Sequence, residues 1–244
     1  MADNSITEIL ILAGGLGSRL RSIVHDVPKP MAEVGGRPFL AHVLDYWEKQ
    51  GITRVTLSIG YMGNIIRAYF RDSYQTMAID YAIEENPLGT GGGLRHVLMQ
   101  RHWQNKRCLL INGDTWFNAD LPKLTEDAVR WDLPITLSLK FMQTNTRYAS
   151  VKLDSRNKII QFKGNDSDAK YINAGCYVIN PRMLKPLLKG MPAVFSFEDD
   201  VLTPFASRGL LGTSIQDRQF LDIGLPESYA LAEHAVKELL MNPE

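Results

Sequence analysis

No stretch of this chain approaches the roughly 18 consecutive apolar residues that a membrane-spanning helix requires. The N-terminal Met-Ala-Asp-Asn-Ser lacks a basic region followed by a long apolar segment. The expectation is a soluble, cytoplasmic protein without a membrane partner. Cysteine is scarce, two in 244 residues. Cys108 and Cys176 both lie in apolar runs that read as buried strands, so the usage excludes a disulfide-dense scaffold and predicts two reduced core thiols, with no metal cluster implied. Excess charge is missing as well, since 27 Lys and Arg balance 27 Asp and Glu. Nothing in that balance argues for nucleic acid or an anionic membrane surface, and any basic site must be local. There is no internal repeat, low-complexity tract or linker. With 45 % hydrophobic residues, a sizeable core in one domain spanning residues 1–244 is the expectation.

Two familiar phosphate loops are also absent. A Walker loop needs Gly-Lys-Ser/Thr, which occurs nowhere, and a dinucleotide fingerprint needs a third glycine where this chain has Leu20. What stands there is Leu12-Ala-Gly-Gly-Leu-Gly-Ser-Arg-Leu20, answered by Pro28-Lys29-Pro30. Glycines at 14, 15 and 17 can bring bare backbone N–H groups against an anion, and Arg19 and Lys29 add two cations. The pattern reads as a triphosphate cradle built from Leu12, Ala13, Gly14, Gly15, Gly17 and Ser18.

Short β-rich runs alternate with helical patterns, which predicts a mainly parallel sheet covered on both faces. Strands are expected at Ile9 to Ala13, Arg54 to Ile59, Ile79 to Ile83 and Cys108 to Asn112, and helices at Pro38 to Gln50, Ile65 to Phe70 and Gly92 to Gln100. After Trp131 the rhythm changes. Ile135 to Lys140, Tyr148 to Leu153 and Ile159 to Phe162 read as strands separated by polar turns, a more antiparallel part. Ala174 to Ile179 reads as a buried strand, Phe197 to Ala206 as helical and Glu227 to Leu240 as an amphipathic closing helix. Ligands of α/β sheets sit at the carboxyl ends of strands, and the candidate motifs fall there.

The run Gly14-Gly-x-Gly-Ser-Arg-Leu20 with Pro28-Lys29-Pro30 resembles the signature of the sugar-1-phosphate nucleotidyltransferases, also called nucleotide-sugar pyrophosphorylases. The resemblance extends to about residue 230 with the motifs in family order. It implies a Rossmann-like, three-layer nucleotide-diphospho-sugar-transferase fold with a mainly parallel central sheet and a smaller antiparallel sugar-binding lobe. It implies GTP and a sugar 1-phosphate as substrates, a heptose or else mannose, with Mg²⁺ as cofactor and a homo-oligomer as a common assembly. Arg19 and Lys29 would be the catalytic cations.

Ile83-Glu84-Glu-Asn-Pro-Leu-Gly-Thr-Gly-Gly-Gly93 resembles the segment with which these enzymes hold the base, and guanine-specific members carry Pro-Leu-Gly-Thr as here at Pro87, Gly89 and Thr90. Chemistry points to guanine separately. A carboxylate only accepts, and guanine N1–H and its 2-amino group are two adjacent donors, which makes Glu84 the candidate. Read without a ligand, Glu84 and Glu85 are solvated strand-end charges. Gly91, Gly92 and Gly93 are poor helix interior and are expected to allow close approach to a ligand rather than to support the fold.

Leu109-Leu-Ile-Asn-Gly-Asp114 ends a strand in glycine and a carboxylate, and Phe220-Leu-Asp-Ile-Gly-Leu-Pro-Glu227 resembles the family's second metal motif. Asp114 and Asp222 are therefore the expected Mg²⁺ ligands, since that ion takes one or two carboxylates plus substrate phosphates. Leu225 replaces the frequent threonine. Asn173-Ala-Gly175 resembles the family's sugar segment and Glu198 a sugar-accepting glutamate, although Ser196 with Asp199 also reads as a capping box. Gly113, Asn173, Gly175 and Glu198 are the expected sugar-phosphate contacts. Lys163 joins them from Phe162-Lys-Gly-Asn165, displaced from the family's Phe-x-Glu-Lys. A catalytically silent nucleotide-sugar-binding subunit would be expected to lack one of Arg19, Lys29, Asp114 or Asp222. A glycosyltransferase would carry Asp-x-Asp where this chain has Gly113-Asp114-Thr115.

Overall fold

The computed structural model describes residues 5–101, 103, 105–142, 148–163 and 170–241. In chain order the elements are β1 (Glu8–Leu12), β2 (Glu33–Val34), β3 (Arg37–Pro38), α1 (Phe39–Lys49), β4 (Arg54–Ile59), α2 (Gly63–Phe70), β5 (Ser73–Tyr74), β6 (Met77–Ile83) and α3 (Gly89–Gln100). They continue with β7 (Cys108–Asn112), β8 (Thr115–Phe117), α4 (Leu121–Trp131), β9 (Ile135–Phe141), β10 (Ser150–Leu153), β11 (Ile159–Phe162), β12 (Tyr171–Ile179) and α5 (Pro181–Leu188). A π-helical turn at Glu198–Leu202, α6 (Thr203–Ser207), β13 (Leu211–Ile215), β14 (Phe220–Asp222) and α7 (Pro226–Met241) complete the fold.

β1 lies between β7 and β4, parallel to both, and β6 extends the parallel run beyond β4. The chain moves outward from β1 through α1 to β4 and returns through α3 to the other side of β1. That reversal places a switch point at the carboxyl ends of β1 and β7, where α/β sheets bind ligands. Alternation along β1 feeds two cores: Ile9 and Ile11 pack with Phe39, Leu40, Leu44 and Trp47 of α1, and Leu10 packs on the opposite face with Leu94 and Val97 of α3 and Leu184 of α5. Cys108 and Cys176 are buried free thiols within these strands, both pushed up by burial, Cys176 to about 12.

The antiparallel part is a flank of the same ten-stranded sheet. β12 pairs antiparallel with β9 along one edge, while its other edge forks: Tyr171 and Ile172 engage β10, and Cys176 to Ile179 engage β7. The β9 register slips between Asn173 and Tyr177, and Gly175 adopts φ +66° there. A left-handed backbone at such a bulge suits glycine. Helices α4 and α5 begin at side-chain caps, Asp120 accepting from the Lys123 N–H at 2.9 Å and Asn180 from that of Met183 at 3.4 Å. β13 joins the sheet parallel to β9.

One expectation is overturned. The glycine run does support the fold, because Gly91 and Gly92 lie in the first turn of α3 and are buried with Gly93 against the chain itself. A Cβ on Gly91 would stand 2.3 Å from the Phe195 ring, on Gly92 2.6 Å from the Ala193 carbonyl oxygen, and on Gly93 2.6 Å from Glu84 Oε1. The Phe195 carbonyl also accepts from the Gly91 N–H at 3.0 Å, satisfying an otherwise unpaired donor of the helix start. The close approach is thus between two segments of this protein. Gly91→Ala is expected to destabilise by about 1–3 kcal/mol through overpacking, read as a lowered midpoint in urea unfolding.

Candidate active site

A cleft of about 590 Å³ opens at the switch point. The loop after β1 supplies one wall, with Leu12, Ala13, Gly14, Gly15, Gly17, Ser18 and Arg19 all lining the space. Leu20, at the position where a dinucleotide fingerprint has glycine, is buried in the core and anchors the loop. Gly17 takes φ +60°, and a Cβ there would meet Lys29 Cβ at 3.0 Å, so the glycine lets the loop fold onto the Pro28-Lys29-Pro30 turn. Lys29 and Arg19 thereby face the same cleft.

Lys29 Nζ donates to Asp114 Oδ2 at 2.5 Å, with the lysine side chain nearly buried. Asp114 follows β7, and Gly113 lets the strand end turn in against β1: its N–H donates to the Leu12 carbonyl at 2.9 Å, and a Cβ there would lie 2.9 Å from that oxygen. Asp222 arrives from 108 residues away along the chain. The β8–β14 ribbon pairs it with Thr115, and the Ile223 N–H donates to the Asp114 carbonyl at 3.1 Å. Its Oδ1 accepts from the Gly224 N–H. A Cβ on Gly224 would lie 2.6 Å from Asp222 Oδ1 and 3.2 Å from Lys29 Nζ, so the Asp222 carboxylate and the Lys29 ammonium both border the Gly224 backbone. Among the described residues no trio of His, Cys, Asp or Glu gathers. Two carboxylates beside an open cleft are the donor set a hard divalent cation takes when substrate phosphates supply the remainder. The residues present fit that group.

The opposite wall carries Glu84, Pro87, Gly89 and Thr90. Glu84 is held rather than solvated: Ser58 Oγ donates to Oε1 at 2.8 Å and the Leu88 N–H to Oε2 at 3.3 Å. The carboxylate sits over Gly14, where a Cβ would come within 2.8 Å of Oε1. Ionised, it has about four acceptor positions, so two protein donors leave capacity for a ligand. Thr90 also braces the wall, its Oγ1 accepting from the Phe197 N–H at 2.9 Å.

Glu198 lines the far end. Its Oε1 accepts from Asn173 Nδ2 at 3.1 Å, and the same amide donates to the Tyr177 hydroxyl at 2.7 Å and accepts from the Gly175 N–H at 3.3 Å. Asn173 is therefore behind the wall, orienting Glu198. Gly175 is also behind it, where a Cβ would meet Asn112 Nδ2 at 2.9 Å. Half of the capping box forms, Asp199 N–H donating to Ser196 Oγ at 3.1 Å, while the Ser196 N–H goes to Asp200 Oδ2 at 2.7 Å, so the helix start is capped and the half-buried Glu198 is left to the cleft. Lys163 stands at the rim and donates to Asp199 at 2.6 Å, with Glu198 at 3.9 Å. That bond, with Ser196 adding to it, holds the Asp199 carboxyl below its usual range and the Lys163 amine above its own. Gly164 and Asn165 of this motif lie outside the described residues.

Sequence reasoning missed Asn112, Ser58, Tyr177 and Phe197. Tyr177 is buried, lines the cleft and meets the Phe197 ring edge-on at 5.3 Å, and burial drives its phenol pKa upward. Its only signal was its place in β12 four residues after Asn173, where its role depends on which face it takes.

A profile of the nucleotidyl transferase family matches residues 8–238. The chain is 39 % identical over 235 residues to D-glycero-alpha-D-manno-heptose 1-phosphate guanylyltransferase of Aneurinibacillus thermoaerophilus, covering 96 % of this chain and 100 % of that one. It is 31 % identical to the mannose-1-phosphate guanylyltransferase of Mycobacterium tuberculosis, covering 94 % of this chain and 64 % of that one. Among solved structures, HddC from Yersinia pseudotuberculosis complexed with GMP-PN superposes with a TM-score of 0.81 at 31 % identity, covering 95 % of this chain and 100 % of that one.

Proposed function

This chain belongs to the nucleotidyl transferase family, and on that premise we propose that it joins GTP and D-glycero-α-D-manno-heptose 1-phosphate to give GDP-heptose and pyrophosphate. The observation that carries the reading is the convergence of the glycine loop, Arg19, Lys29, Asp114 and Glu84 on one cleft, with Asp222 at its edge. An oxygen of the sugar 1-phosphate attacks the α-phosphorus of GTP in line. The new O–P bond forms as the bond from Pα to the bridging oxygen of pyrophosphate breaks, and no enzyme nucleophile is needed.

The difficulty is bringing two anions together, so positioning and charge stabilisation carry the catalysis. Loop N–H groups from Gly14 to Ser18 cradle the triphosphate, and Arg19 and Lys29 draw charge off the α-phosphate and the leaving group. Asp114 and Asp222 would hold the divalent cation, proposed as Mg²⁺, which would supply charge neutralisation at the phosphates. Glu84, Pro87, Gly89 and Thr90 hold the guanine. Gly113, Glu198 oriented by Asn173, Gly175 behind it and Lys163 at the rim form the sugar-phosphate end. A silent binding subunit is opposed by the presence of all four charged groups.

The test incubates the protein with Mg²⁺, the four ribonucleoside triphosphates and either heptose 1-phosphate or mannose 1-phosphate, reading pyrophosphate release and product mass. GDP-heptose is the expected product. GDP-mannose alone would replace the sugar, and a different nucleotide would overturn the role given to Glu84. Glu84→Gln is expected to lower kcat/KM for GTP about ten- to hundredfold, because a charged acceptor facing two donors becomes half donor. Parallel assays with UTP check it, since the amide complements uracil better and the GTP preference should narrow.

A further inference from the structure

A second cleft, of about 400 Å³, opens between α4, the turn joining β10 to β11, and β13. None of its lining residues borders the nucleotide cleft. Its walls carry three cations, Lys123, Arg130 and Arg156, against one carboxylate, Asp127. Asp127 is 4 % exposed and already satisfied: Lys123 lies 3.1 Å from its Oδ2, Arg130 bonds its Oδ1, and Ser214 Oγ donates to Oδ2 at 2.7 Å. Among the described residues Arg156 forms no ion pair.

The wall that presents Arg156 is fixed from both sides. Asp154 Oδ1 accepts from the backbone N–H groups of Arg156 at 2.8 Å and Lys158 at 2.9 Å, a closed polar turn. The Asn157 carbonyl accepts from the Thr213 hydroxyl at 2.9 Å, tying that turn to β13. Across the cleft the Trp131 indole N–H donates to the Thr213 carbonyl at 2.8 Å, and a Cβ on Gly212 would come within 2.6 Å of the ring. The cavity is preformed, and its volume falls in the range of about 300–1,000 Å³ for small-ligand pockets. Its lining keeps a surplus of positive charge. Guanidinium forks pair with oxyanion oxygens, which a neutral ligand does not offer, and a phosphate monoester brings about two negative charges to answer that surplus where a single carboxylate brings one.

We propose that this cleft binds a phosphorylated small molecule, at a site separate from the nucleotide cleft. The experiment is titration calorimetry with inorganic tripolyphosphate, without divalent cation, on Lys29→Met, which weakens anion binding at the first cleft. One site should remain. Adding Arg156→Glu should weaken it about tenfold or more, the loss of a charge-assisted contact. Arg156→Gln, which leaves the turn's backbone bonds intact, should weaken it in the same direction, and Arg156→Glu alone should turn over substrates normally. Equal binding of inorganic phosphate assigns a monoester, and tripolyphosphate binding alone assigns a polyphosphate. Absence of any site in Lys29→Met, or a site indifferent to Arg156, overturns the proposal.

Discussion

Turnover falls by on the order of a hundredfold or more in Lys29→Met, the scale on which loss of one preorganised charge slows a reaction that builds negative charge. Methionine is the informative replacement because it keeps the methylene stem on which Gly17 rests and removes only the ammonium. The cost to the fold should be modest. Lys29 is nearly buried, but the Asp114 carboxylate it would leave behind is 33 % exposed to the cleft, so water takes over part of the lost bond and the cost is about 1–3 kcal/mol. Melting should therefore fall by several degrees. Steady-state kinetics with GTP should show kcat falling and KM rising together, since the ammonium meets triphosphate charge on binding and more of it in the transition state. Near-normal turnover would remove Lys29 from the mechanism and leave it as a structural partner of Asp114.

The parallel half of the fold was legible because its strands announce themselves locally. Arg54 to Ile59 and Cys108 to Asn112 have the bounds the apolar runs suggest. The loop after β1 was legible for the same reason, glycine and cation spacing being a short-range pattern, and its residues line the cleft as one group. What failed to show was long-range. The β8–β14 ribbon joins residues about a hundred apart and has three residues per strand, too few for periodicity to register. The glycine run was misjudged because intrinsic propensity argues against Gly91 to Gly93 in a helix. The decisive term was tertiary: Ala193 and Phe195 press on Gly91 and Gly92, and the Glu84 carboxylate presses on Gly93, so closely that no side chain fits. The role of Asn173 also depends on packing, since only the fork of β12 turns its amide toward Glu198 and Tyr177. α4 escaped notice although Leu121, Leu124 and Ala128 bury one face, and the second cleft went with it.

Asp114→Asn and Asp222→Asn are each expected to lower turnover by on the order of a hundredfold or more and to raise the divalent-cation concentration needed for half-maximal rate. The structure joins the two aspartates by a direct backbone link, from the Ile223 N–H to the Asp114 carbonyl, and by the pairing of Asp222 with Thr115 beside Asp114. Groups that hold one ion act as a unit, so their losses should not add. The double variant should fall about as far as the more damaged single variant, short of the product of the two losses. Asparagine keeps size and one carbonyl oxygen, so the comparison isolates charge, and far-ultraviolet circular dichroism checks that the ribbon survives. Additive losses would mean two independent roles: Asp114 would then act mainly through Lys29, and Asp222 mainly through the Gly224 turn that its Oδ1 closes. A rate independent of divalent cation in the parent protein would remove the ion from the reaction altogether, leaving Arg19 and Lys29 to carry the phosphate charge.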